Sequence, residues 1–138
     1  MLQQDYLLRM FLQLATAIRE SLQRARGDRD PVAAATLLDQ SIEDATEMDG
    51  ALLLRMAPES MAAMLQLSQS DPQLMGYVSR TLLLSSKYLE EAGKTTESQL
   101  RREQAFAVAR SFNIELSDES ISPEELERFF EETTPDNQ

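Results

Sequence analysis

The stretch Asp71-Pro72-Gln73-Leu74-Met75-Gly76-Tyr77-Val78-Ser79-Arg80-Thr81-Leu82-Leu83-Leu84-Ser85-Ser86-Lys87-Tyr88-Leu89-Glu90-Glu91-Ala92-Gly93 decides the fold. Asp71 can accept hydrogen bonds from the free N–H groups of a first helical turn, and Pro72 loses nothing at the first helical position. Leu74, Val78, Leu82, Ser85, Tyr88, Leu89 and Ala92 then recur at steps of three and four, which makes one apolar stripe. Gly93 stops the helix, because glycine takes up the left-handed conformation that satisfies the last carbonyls. Thr95 is expected to cap the next helix, with Ser98, Ala105, Val108, Ala109 and Phe112 on the facing stripe. A break this short makes the two helices antiparallel neighbours.

The small residues Thr81, Ser85, Ala105 and Ala109 predict a close approach of the two backbones. Leu83 and Leu84 fall off the first stripe, so the Asp71 helix has a second apolar face. A helix that is apolar on two faces touches two neighbours, as in a stacked helical array.

Composition bounds the rest. A chain of 138 residues is long enough for one domain that buries roughly two-thirds of its unfolded surface. It has no Cys and no His, so disulfides, thiolate metal sites and imidazole acid/base chemistry are excluded. Net charge is −11 and is unevenly spread. Residues 1–31 hold five basic and four acidic side chains, and residues 32–76 hold one and seven. Residues 77–114 hold six and four, and residues 115–138 hold one and nine. That distribution argues against a nucleic-acid partner, which needs a basic stripe, and against an anionic membrane surface.

Going outward, the first helix is expected from about Leu2 to Arg26, with Leu7, Met10, Phe11, Leu14, Ile18 and Leu22 inward. Asp5, Arg9 and Gln13 interrupt its apolar run, which excludes a membrane span and argues against a signal peptide. Gly27 to Pro31 reads as a stop and a capped start, and Asp49-Gly50 as the break that ends the second helix. A short apolar piece, Ala51 to Met56, precedes another helix from Pro58. After Phe112 an extended segment carries Ile114, Leu116 and Ile121 over the hairpin's end. Ser122-Pro123-Glu124-Glu125 is a capping box opening a short acidic helix with Leu126, Phe129 and Phe130. Residues from Thr133 onward are expected to fray.

The opening Gln4-Asp5-Tyr6-Leu7-Leu8-Arg9-Met10 resembles that of an uncharacterised family of small bacterial helical proteins of unknown function. The likeness extends over about residues 3 to 113 and leaves the acidic tail unaccounted for. The closing pair is also similar to a tetratricopeptide repeat, through Leu84, Ser85, Tyr88, Ser98 and Ala105, with one extra residue near Gly93. It departs from that pattern at Thr81, where a large aromatic is usual, at Arg102, where a large apolar residue is usual, and at Arg110, in place of the closing Pro. What the resemblance implies is a protein-interaction scaffold, with no catalytic residue to carry over.

Candidate sites are few. Ala45 to Met56 has Glu47, Asp49 and Gly50 spaced as in a calcium loop, but Ala45 and Met56 stand where two carboxylates are needed. Glu90-Glu91, Asp118-Glu119, Glu124-Glu125 and Glu131-Glu132 read as solvated charge, since adjacent helical residues point about 100° apart. No catalytic residue, cofactor or metal is expected. Phe129 and Phe130 carry the sharpest expectation. Two large aromatics on a very acidic helix either dock on this chain's own hairpin as a cap or meet a partner or second copy.

The expected architecture is all-α, with about six or seven helices as antiparallel hairpins stacked in a tetratricopeptide-like array. A helical-array domain at 1–116 is followed by an acidic segment at 117–138 that docks on it. The expected function is a cytoplasmic, non-enzymatic interaction module that binds a helix or peptide in a groove between helices. Arg80, Lys87, Arg101, Arg102 and Arg110 are candidates for selecting an acidic segment, with Arg101 and Arg102 foremost, and Phe129 and Phe130 for contact. The alternative is a small-molecule-binding regulatory domain with a pocket lined by Met56, Met61, Met64 and Met75.

Overall fold

In a computed structural model of the chain, residues 2–133 are described and are helical apart from short connections, with no strand among them. The described residues form seven α-helices: α1 (Leu2–Leu22), α2 (Pro31–Thr46), α3 (Gly50–Leu53), α4 (Pro58–Leu67), α5 (Pro72–Glu91), α6 (Thr95–Ser111) and α7 (Pro123–Thr133). A π-helical turn, Gln23–Gly27, extends α1, and a 3-10 turn, Asp118–Ile121, precedes α7. No helix among the described residues is long and apolar enough to cross a membrane.

The central helix α5 starts as its sequence dictates. The Asp71 carboxylate accepts from the N–H groups of Gln73 and Leu74 at 3.0 and 3.1 Å. At the other end Gly93 has φ +80, and the Lys94 N–H closes on the Leu89 carbonyl at 2.9 Å. Fourteen of its 20 residues are buried, which puts α5 in the middle of the molecule rather than on a face. Burial on this scale leaves no room for an unsatisfied hydroxyl. Ser79, Thr81 and Ser86 bond back to carbonyls of their own helix, and Ser85 donates to Asp39 of α2 at 3.0 Å. Ser85 therefore faces α2, not α6 as its place in the stripe suggests.

Along its length α5 packs chiefly against α6, α1 and α2. Helix α6 returns antiparallel, with Ser98 donating to the Ser86 carbonyl at 2.8 Å and Ala105 and Ala109 buried along the hairpin. Helix α1 runs in the same direction as α5. Phe11 stacks on Tyr77 with ring centroids 4.8 Å apart, and ten residues further along α1 the Ser21 hydroxyl lies 3.1 Å from that of Tyr88. Helix α2 folds back along α1, so that Tyr6, near the start of α1, donates to Glu47 just past the end of α2. Helix α4 packs on α6, where Gln66 donates to the Ser111 carbonyl at 2.8 Å.

Four local expectations are corrected. Helix α2 ends at Thr46 because Glu47 turns left-handed, φ 57. Asp49 therefore does not break α2 but starts α3, accepting from the Ala51 N–H at 3.0 Å. Thr95 is the first residue of α6 and does not cap it; Lys94 holds the cap position without a side-chain bond. The segment expected to be extended over Ile114 to Ile121 tightens into a 3-10 turn from Asp118, where the Ser117 N–H donates to the Ser120 hydroxyl at 3.0 Å. Thr133 is not frayed, since its hydroxyl lies 2.6 Å from that of Tyr77 and donates to the Phe129 carbonyl at 2.7 Å. The remaining residues of the expected frayed end, 134–138, lie outside the described ones.

Candidate functional site

The acidic C-terminal segment lies across the helical body and is fastened to it by aromatic and ionic contacts. Ser122 caps α7 by accepting from the Glu125 N–H at 3.2 Å. The helix that follows places Leu126 and Phe130 on one side, where both are buried with Ile121 in the main core. Phe130 stacks parallel to Tyr77 at 5.9 Å, and Phe129 meets the same ring edge-on at 4.7 Å. Tyr77 is thus held between Phe11 of α1 and two rings of α7.

Two arginines complete this contact. Arg19 of α1 grips Glu127 with Nε and Nη2, both at 2.8 Å, and its guanidinium lies 4.9 Å from the Phe130 ring centroid. Arg80 of α5 stacks over Phe129 at 3.8 Å and donates from Nη1 to the Gly76 carbonyl at 3.0 Å. Its Nε is buried without a hydrogen bond among the described residues. Burial pulls the Arg80 guanidinium below its usual range, opposed by the more distant Glu132 and Glu125 carboxylates. Gly76 is part of this fit. A Cβ there would lie 3.2 Å from the Phe129 ring, so a larger residue would crowd the tail against α5.

The 3-10 turn adds a second fastening. Arg102 of α6 donates to both Asp118 oxygens, at 2.7 and 3.3 Å. The charged partner holds the Asp118 carboxyl below, and the Arg102 guanidinium above, their ordinary values. This pair lines a groove of about 560 Å³ beside α5 and α6, together with Leu83, Lys87, Glu90, Thr95 and Gln99. A second groove, of similar volume, runs between α1 and α2 over Leu14, Ala17, Leu37 and Ala45.

The basic candidates therefore go to different places. Arg101 belongs to a half-buried network, gripping Asp39 at 3.0 and 3.2 Å and donating to the Leu54 carbonyl at 2.9 Å. Its neighbour Gln104 donates to the carbonyls of Leu54 and Met56. Together these ties join α2, α5, α6 and the chain after α3, so Arg101 is committed within its own fold. Arg110 pairs with Glu59 at 2.9 Å on the surface. Lys87 alone of the five has neither an ion pair nor a ring partner among the described residues. Arg102 and Arg80 meet the tail, and Phe129 and Phe130 are the tail's own rings on the body.

Met61 and Met75 are sealed in the core, and Met64 is exposed on the outside of α4. Met56 packs, partly buried, against the same core. Among the described residues no three acidic side chains converge as a metal site would require. Sequence reasoning missed Arg19, Asp39 and Glu127, whose partners are distant in the chain. No family model, curated protein or solved structure matches this chain.

Proposed function

We propose that the chain is a non-enzymatic protein-protein interaction module. It holds a helix or extended peptide that presents carboxylates beside aromatic rings. The observation that carries this reading is the acidic tail lying on the body in cis, with Glu127 on Arg19, Asp118 on Arg102, Phe129 under Arg80 and Phe130 on Tyr77. A partner segment of the same chemistry competes for that surface, since paired charges fix orientation while buried rings supply most of the affinity.

On this reading the α5–α6 hairpin works as a tetratricopeptide-like scaffold in a bacterial cytoplasm, and α7 is its resident occupant. Fluorescence anisotropy tests it, using a labelled peptide of residues 115–133 and the full-length Phe129→Ala/Phe130→Ala variant. The peptide is expected to bind the variant in a salt-sensitive way and the wild type at least about tenfold more weakly, because an attached competitor acts at high effective concentration. Absence of binding to the variant, with its helical circular dichroism and a cooperative thermal transition showing it folded, overturns the reading. Capture from a lysate with both forms then identifies the natural partner.

A further inference from the structure

The tail leaves one face of α1 uncovered, and the charges on that face form no ion pair among the described residues. Arg9, Leu12, Gln13, Thr16 and Glu20 are all exposed, and at about 100° per residue they share one arc of the helix. Leu12 is 47% exposed. Arg9 and Glu20 have no ion-pair partner among the described residues, and neither do Asp5, a turn earlier on α1, and Arg24, in the π-helical turn that follows it. Beside this face runs the α1–α2 groove, floored by the small side chains of Ala17 and Ala45.

The order of charges along the arc is antisymmetric: acid, base, apolar, polar, polar, acid, base. We propose that α1 pairs antiparallel with α1 of a second copy across a twofold axis. In the register that sets Arg9 opposite Glu20 of the second copy, symmetry sets Glu20 opposite the second copy's Arg9. The same register sets Gln13 opposite Thr16 and Asp5 opposite Arg24, each in both directions. The two Leu12 side chains flank the axis, each beside Thr16 of the other copy, and each covers apolar surface that the monomer leaves wet.

A twofold contact requires a surface that complements itself, and this one does. Parallel pairing would set Arg9 against Arg9 and Glu20 against Glu20, so the charges select the antiparallel arrangement. A foreign helix would need no such antisymmetry, which is why the occupant is a second copy. The contact is small and rimmed by charge, so the pair dissociates on dilution and in salt. It does not depend on whether the tail's surface serves a partner.

Sedimentation velocity of the full-length chain, over a concentration series at low salt, tests this contact. Dimer is expected to accumulate with concentration and to disperse on adding salt. Arg9→Glu alone and Glu20→Arg alone each set like charges face to face, and each is expected to weaken dimerisation by about tenfold or more. The combined Arg9→Glu/Glu20→Arg exchange restores it. Both side chains are exposed, so unchanged thermal melting will verify that every variant is folded. A wild type monomeric throughout overturns the proposal, as does a dimer indifferent to the single changes or not restored by the exchange.

Discussion

Arg101 of α6 grips Asp39 of α2 through two contacts, Nη2 to Oδ2 at 3.0 Å and Nε to Oδ1 at 3.2 Å. The Arg101 side chain is only 12% exposed, and the other Asp39 contact comes from Ser85. Removing one member of such a pair leaves the other desolvated and unmatched. Arg101→Ala is therefore expected to cost about 3 kcal/mol, read as a fall in the chemical-denaturation midpoint. In a double-mutant cycle with Asp39→Ala, the two losses should be clearly less than additive. Additive losses would show that the contact carries little energy.

The tail contact concentrates on one ring. Phe130 is 4% exposed, so Phe130→Ala should destabilise the chain by about 3–4 kcal/mol through lost burial and the cavity left behind. Phe129 is only partly buried and keeps one face for Arg80, so Phe129→Ala should cost roughly half as much. Thermal unfolding of the two variants gives the order, and equal losses would contradict this geometry.

Acid should loosen the tail first. Hydrogen bonds from Arg19 and Arg102 hold the Glu127 and Asp118 carboxyls below their ordinary values. A depressed folded-state value means that each pair stabilises fully above the unfolded-state value, about 3.9 for Asp and 4.3 for Glu. That contribution is lost as pH falls through the folded-state value. Both pairs are well exposed, so each contributes less than about 1 kcal/mol. Amide exchange in α7 should accelerate below pH ~4 relative to α5, and Glu127→Gln should remove part of that dependence. A tail whose protection relative to α5 is unchanged on acidification would contradict the assignment.

Gly93 tests backbone strain without packing. Its φ is +80, and a Cβ built there would meet nothing within 4 Å. Gly93→Ala should therefore cost about 1 kcal/mol from conformation alone, while Gly93→Asn should cost less. Equal melting temperatures for Gly93→Ala and the wild type would mean that the turn relaxes away from the left-handed region.

Features that depend on a few consecutive residues were legible in the sequence. Asp71-Pro72 starts α5 and Gly93 ends it because a carboxylate, a ring-locked φ and an absent Cβ act over one helical turn. The surplus leucines on α5 foretold its central position, since two apolar faces need two neighbours. Boundaries failed where a residue acted against its type. Glu47 takes up positive φ with no glycine to announce it, and α2 ends there rather than at Asp49-Gly50.

The sequence by itself determined that this chain makes amphipathic helices, a tight central hairpin and an acidic final helix with two aromatic rings. Capping, periodicity and charge are local properties, written within one or two turns of chain. Only the tertiary structure decided where the cations are used. Arg101 went to Asp39, Arg102 to Asp118, and Arg80 to the face of Phe129. Each choice rests on angles between helices far apart in sequence, and those angles follow from how the buried faces fit together. No single stretch of residues contains that information.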